Sequence, residues 1–126
     1  MKCLPLIAAL VLSAGAAMAD PVVGIWKTQV DDGAYAHVQF VACGDKLCGK
    51  IVRTFNASGE YKSANIGKQL VWDMVASGSG SYKNGKIWQP SSDTIYKSKM
   101  ALSGNTLNVS GCVGPICKKQ TWSRVN

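Results

Sequence analysis

The sequence has little of what catalysis or a helical fold requires. It has one histidine, His37, and seven acidic residues, and its aspartates are scattered over turn-like segments where no pair can be given acid and base roles. His37 has no evident serine or carboxylate partner. Apolar residues nowhere recur at a sustained spacing of three to four, so a mainly helical fold is excluded. We therefore expect no enzymatic activity, no metal site and no cofactor.

Long hydrophobic runs are also absent, except at the N-terminus. There Lys2 supplies a positive charge, residues 4–17 are mostly apolar, and Ala17-Met18-Ala19 fits a cleavage site. The run is too short for a spanning helix, which needs about 20 residues. The pattern predicts a signal peptide at 1–19 and one domain of 107 residues at 20–126. We expect a periplasmic or secreted protein with no membrane span.

Basic residues exceed acidic ones, and the formal net charge is +7. These charges are dispersed, which is typical of a solvated surface, although a basic surface can also attract an anionic component of the cell envelope. No recognition helix or aromatic-basic motif indicates nucleic-acid binding.

Short segments alternate between apolar and polar residues, which predicts β-strands. Glycine, asparagine and aspartate clusters separate them, and Asp32-Gly33 and Asn84-Gly85 favour tight hairpin turns, as Ser103-Gly104-Asn105 does less sharply. One longer polar loop is expected at 56–68. The predicted strands lie near 22–29, 36–43, 48–55, 69–75, 80–83, 86–89, 93–102, 105–112 and 117–125.

Strands joined in sequence by short turns predict an all-β, antiparallel, up-and-down meander. With eight or nine strands, closure into a barrel would remove the exposed edges. The interior of an eight-stranded barrel is either filled by side chains or able to hold one small ligand.

Four cysteines of the predicted domain come in two pairs, each separated by four residues. Cys43 and Cys48 form one pair, and Cys112 and Cys117 the other. Each pair flanks a turn between two strands, which would place its members within disulfide range. We predict the disulfides Cys43–Cys48 and Cys112–Cys117. A tetrahedral zinc site is the alternative, but paired zinc ligands usually have closer spacing, and export favours oxidation.

Aromatic and polar side chains share faces of several predicted strands. They either fill the barrel core or line an amphiphilic pocket. If there is a pocket, its candidate residues are Phe40, Trp72, Trp88, Tyr96, Met100 and Gln120.

Gly24-Ile25-Trp26 on the first strand, together with Arg124 on the last, resembles the calycin signature of lipocalins and fatty-acid-binding proteins. This resemblance implies that Trp26 and Arg124 form the structural base of a calycin-like barrel, held by cation–π attraction. The chain is also similar to the domain of unknown function 2147 family of small exported bacterial proteins, through segments spread from Gly24 to Val125. That family has no assigned activity.

Two functions remain open from the sequence. The first is a periplasmic barrel that binds a small amphiphile, such as a fatty acid or a related lipid. The second is a surface-interaction module with a filled core, which binds anionic envelope material or a protein through its lysines. The volume of the interior separates the two.

Overall fold

The computed structural model describes residues 19–126, so the predicted signal peptide lies outside the described residues apart from Ala19. In the described part all regular structure is β-sheet. The strands are β1 (Gly24–Lys27), β2 (Tyr35–Cys43), β3 (Lys46–Asn56), β4 (Gly59–Tyr61), β5 (Gln69–Gly78), β6 (Ser81–Gln89), β7 (Thr94–Ser103), β8 (Thr106–Val113) and β9 (Ile116–Arg124).

Eight of these strands form a closed antiparallel barrel. The order is β1, β2, β3, β5, β6, β7, β8 and β9, and the pairing of Trp26 on β1 with Arg124 on β9 completes the cycle. The short strand β4 pairs with β3 alone and lies in the segment predicted to be a loop. Closure pairs the edges that an open sheet would expose. The prediction of an up-and-down, calycin-like barrel is confirmed.

The turns follow the sequence signals with one correction. Asp32-Gly33 adopts positive φ angles of 54° and 75°, as a tight turn requires. Asn84-Gly85 is not a turn, because the two strands predicted at 80–83 and 86–89 form the single strand β6. The turn before β6 is Ser79-Gly80 instead, with φ angles of 55° and 80°.

Asn84-Gly85 forms an irregularity within β6, and packing explains why a glycine is placed there. The register between β6 and β7 shifts between Tyr82 and Gly85, and Asn84 has φ 63°. A Cβ atom on Gly85 would lie 2.5 Å from the sulfur of Met74. An Asn-Gly pair thus serves a β-bulge as well as a hairpin.

Alternation within each strand sends one set of side chains into the barrel. The largest fully buried ones are apolar, and they fill the end of the barrel where β1 begins and β9 ends: Val22, Trp26, Val38, Phe40, Met74, Leu107 and Trp122. We call this the closed end. The opposite end, which we call the open end, carries the loops 28–34, 57–68, 90–93 and 114–115.

The closed end is held by a stack on the indole of Trp26. The guanidinium carbon of Arg124 lies 4.3 Å from the centroid of the Trp26 ring, and Arg124 also donates a hydrogen bond to the carbonyl of Pro21 at 2.8 Å. The Trp26 indole N–H donates to the Val22 carbonyl at 2.9 Å. The segment before β1 therefore covers this end of the barrel.

A second contact holds the same segment from the far side. The hydroxyl of Tyr82 on β6 donates a hydrogen bond to the carboxylate of Asp20, which also accepts from the Val22 amide. Burial, together with the bond to Asp20, raises the pKa of Tyr82 well above its usual value of 10.0. The folded protein thus keeps this phenol protonated at a pH where an unfolded chain would lose the proton.

Tyr82→Phe is expected to lower the free energy of unfolding by about 1 kcal/mol at pH 8, because one hydrogen bond is lost. Above pH 10 the unfolded phenol ionises while the folded one stays neutral, so the wild-type stability contributed by Tyr82 falls as pH rises. The wild-type advantage should therefore shrink between pH 8 and pH 11. Urea midpoints of both proteins at the two pH values measure it. A difference that stays constant across this range would contradict the buried, hydrogen-bonded phenol.

Candidate functional site

The barrel interior is not filled at the open end. A cavity of about 620 Å³ lies there, and its wall is formed by inward-facing residues of the barrel strands together with the surrounding loops. This volume is within the range of small-molecule sites in proteins. The packed residues of the closed end form its floor.

The deep part of the cavity is apolar. Ile51, Leu70, Ile87, Val109 and Trp122 contribute to its wall, and four of them are buried, with Trp122 only 1% exposed. Contact between this surface and the apolar part of a ligand stabilises the complex by about 25 cal/mol for each Å² of apolar surface removed from water.

Two polar side chains of the cavity wall, Gln120 and Thr54, have hydrogen-bond partners within the protein. Gln120 accepts a hydrogen bond from the Trp122 indole at 2.9 Å. Thr54 donates to the carbonyl of Tyr61 at 2.6 Å and accepts from the amide of Ser63 at 3.2 Å, which ties the 57–68 loop to the barrel. Within residues 19–126 no buried side-chain nitrogen or oxygen lacks a hydrogen bond. The deep site therefore presents apolar surface rather than unsatisfied polar groups.

The rim of the cavity is mixed, because charged and polar residues lie there beside the exposed apolar side chains of Val113 and Ile116. Its charged residues are Asp31 in the loop after β1 and Lys118 and Lys119 on β9, and uncharged polar residues from three loops complete it. Gln29 from the same loop as Asp31 accepts a hydrogen bond from the Thr121 amide at 2.9 Å, which fixes that loop against β9. The charged residues of the cavity thus lie at its mouth, whereas its floor is apolar.

Three of the six predicted pocket residues lie at this cavity. Tyr96 and Gln120 face it from β7 and β9, and Trp88 borders it from β6. The Trp88 indole N–H donates to Asp93 at 2.8 Å, and the ammonium of Lys68 lies 5.4 Å from its ring centroid. A ligand-binding role for these residues stays a prediction.

The other three predicted pocket residues lie elsewhere. Phe40 and Met100 are 0% and 3% exposed and belong to the packed core below the cavity. Trp72 on β5 is opposite the exposed Lys86 of β6, which puts its ring on the outer face. There it borders a shallow depression with Gln69.

Sequence reasoning missed several residues of the cavity wall, including Ile51, Leu70, Val109 and Gly111. Trp122 is two residues from the predicted pocket residue Gln120, so strand alternation is the signal that could have placed it at the site. Gly111 is opposite Ser98 on β7, and a Cβ atom there would meet Ile87 at 3.4 Å and Tyr96 at 3.6 Å. The missing side chain leaves room beside these two walls.

His37 lies on the outer face of β2, away from the cavity. Its ring centroid is 4.7 Å from that of Phe55, which itself stacks on Tyr35 at 4.7 Å. Partial burial, followed by the nearby charge of Arg53, lowers the pKa of His37 below 6.5. It is thus half-buried in an aromatic cluster rather than freely solvated.

Both predicted disulfides are present, Cys43–Cys48 and Cys112–Cys117. The turns they span are tighter than the four-residue turns expected, because Cys43 pairs with Lys46 and Val113 pairs with Ile116, which leaves two-residue turns. Within the described chain no three histidine, cysteine or acidic side chains cluster as metal ligands. The Cys112–Cys117 bond lies at the open end, next to Gly111 and Lys118.

Comparison with known proteins identifies the family of this barrel. The model of a family described as "Uncharacterized protein conserved in bacteria (DUF2147)" matches residues 24–124. The chain belongs to the DUF2147 family. The match spans all nine strands, from the start of β1 to the end of β9. No curated protein matches this DUF2147 chain.

A solved structure has the same fold as this DUF2147 protein. It is protein HP1028 from Helicobacter pylori, described as belonging to the lipocalin family, with a TM-score of 0.69. The two chains are 19% identical, and the alignment covers 86% of this chain and 85% of that one. At this identity the likeness shows the fold alone. In residues 19–126 no helix is long and apolar enough to span a membrane.

Proposed function

We propose that this protein is an exported binding protein whose barrel holds one small amphiphilic molecule in the cavity at its open end. The observation that carries the proposal is the cavity of about 620 Å³, with its apolar floor and the charged residues at its rim. Eight-stranded barrels of the lipocalin type can enclose one small ligand in this way. The unfilled interior favours this function over a surface module with a filled core.

The chemistry of the wall supports an aliphatic or aromatic tail as the buried part of the ligand. Each buried methylene group contributes about 0.8 kcal/mol. Gln120 and Thr54 in the wall are already hydrogen-bonded within the protein, so a tail would leave neither of them newly unpaired. A polar head would remain at the rim, where water and polar side chains can solvate it.

The predicted signal peptide and the two disulfides support a location outside the cytoplasm, in the periplasm or the medium. We propose binding rather than catalysis, because the buried wall of the cavity is apolar and its charged residues, Asp31, Lys118 and Lys119, are exposed at the rim.

A titration with a fluorescent fatty-acid analogue tests this function. We expect saturable uptake at one molecule per protein, and displacement of the analogue by an unlabelled fatty acid. Protein unfolded in urea is the control and should give no saturable signal. A linear or absent fluorescence response with the folded protein would contradict an interior site for amphiphiles.

A further inference from the structure

The charged residues that line the cavity are all exposed to solvent. Asp31, Lys118 and Lys119 belong to the rim, whereas the deep wall is formed by residues such as Ile51, Val109 and Trp122. An ionised group moved to the apolar floor would lose its hydration without a charged partner, and this is costly. A charged head group is therefore compatible with the rim and not with the floor.

Of the two rim lysines, Lys118 shares the inward face of β9. Lys118, Gln120 and Trp122 are alternate residues of this strand, and Trp122 is buried in the barrel. Lys119 lies between them in sequence and alternates to the outer face. Lys118 is therefore the rim cation that lies on the cavity side of β9.

The surroundings of Lys118 leave it free to meet a ligand. Its partner across the β8–β9 ladder is Gly111, which has no side chain to cover it. Within residues 19–126 the one ion pair joins Arg53 to Glu60, on the outer face. The adjacent Cys112–Cys117 disulfide fixes the hairpin that carries Lys118.

Asp31 is the opposing charge at the same rim. It belongs to the tight turn in which Asp31 pairs with Ala34, and it contributes to the cavity mouth. Its carboxylate disfavours an anion nearby, so it weakens the attraction of Lys118 for an anionic head. Substitutions at Asp31 and Lys118 should therefore act in opposite directions.

We infer that the cavity selects single-chain amphiphiles with an anionic head, bound with the tail on the floor and the head against the Lys118 ammonium at the mouth. This inference rests on the proposed function and adds the charge of the ligand and its orientation. A carboxylate can accept a charge-assisted hydrogen bond from the ammonium. A neutral head of the same chain length gains no such contact.

Displacement of the neutral fluorescent probe N-phenyl-1-naphthylamine by decanoate or by decanol tests the inference, because only the head differs. We expect Lys118→Gln to weaken decanoate binding about three- to tenfold, in the range of a partly exposed charge-assisted contact. Decanol binding should change less than about twofold, as expected for an uncharged head. Asp31→Asn should strengthen decanoate binding, and added salt should weaken it in the wild type.

Lys97→Gln is the matched control. Lys97 is exposed on the outer face of β7, one strand from the same hairpin, and its loss should leave both affinities nearly unchanged. Equal weakening of decanoate by Lys97→Gln and Lys118→Gln would contradict a specific contact with Lys118. Wild-type protein that binds decanol as tightly as decanoate would also overturn the inference. If neither compound displaces the probe, the proposed function itself fails. Thermal melting of each variant verifies that it is folded.

Discussion

Trp26→Ala is expected to lower the free energy of unfolding by about 3–5 kcal/mol, the usual cost of removing a large buried aromatic side chain. Trp26 is fully buried at the closed end. Its indole donates to the Val22 carbonyl and carries the guanidinium of Arg124 on its ring. Alanine would leave a void, an unpaired carbonyl and an arginine without its aromatic partner.

Urea unfolding of wild type and variant measures this loss, and two other variants bracket it. Arg124→Ala should cost about 2 kcal/mol, since a stacked cation and its packed stem are lost while the indole stays. Trp72→Ala removes the same side chain from the outer face and should cost about 1 kcal/mol. If Trp72→Ala destabilised the protein as much as Trp26→Ala, the closed-end stack would not be the structural base of the barrel.

Gly111→Phe is expected to weaken amphiphile binding more than tenfold while the barrel still folds. A Cβ atom at position 111 makes ordinary contacts with Ile87 and Tyr96, and both of these residues line the cavity. The added ring therefore extends into the cavity space. If it excludes even two methylene groups of the tail, the lost burial is about 1.6 kcal/mol, which exceeds a factor of ten in affinity.

Lys99→Phe is the control for this substitution. Lys99 is opposite Ser110 on the outer face of the same pair of strands, so its replacement adds an equal ring outside the barrel. Affinity for the fluorescent analogue should be unchanged in this variant. Unchanged affinity in folded Gly111→Phe would place the ligand outside the cavity.

The barrel itself could be predicted because strand alternation, turn residues and paired cysteines all indicate the same hairpins. The prediction of a turn at Asn84-Gly85 was wrong because this dipeptide fits a bulge as well as a turn. What decides between them is the approach of Met74 to Gly85, a contact between separate strands. The strand β4 escaped prediction because three residues, Gly59–Tyr61, are too few for a recognisable alternation.

The candidate site could be predicted only in part, since alternation gives the face of a strand and not the depth along the barrel. Tyr96 and Met100 are four residues apart and share one face of β7, yet Tyr96 reaches the cavity and Met100 lies in the packed core below it. The level at which packing ends depends on how side chains from eight strands meet. No single strand carries that information. Its absence also explains why Phe40, a core residue, was predicted to lie at the pocket.

The indole N–H resonances of the four tryptophans offer the most direct test of an interior binding site. Trp122 lines the cavity, whereas Trp72 lies on the outer face and Trp26 in the closed end. In a ¹H–¹⁵N NMR titration with decanoate, the Trp122 signal should shift saturably at one equivalent, the Trp26 signal should move less, and the Trp72 signal should stay in place. A Trp122 signal that is unchanged at saturating decanoate, or a shift confined to Trp72, would contradict binding inside the barrel.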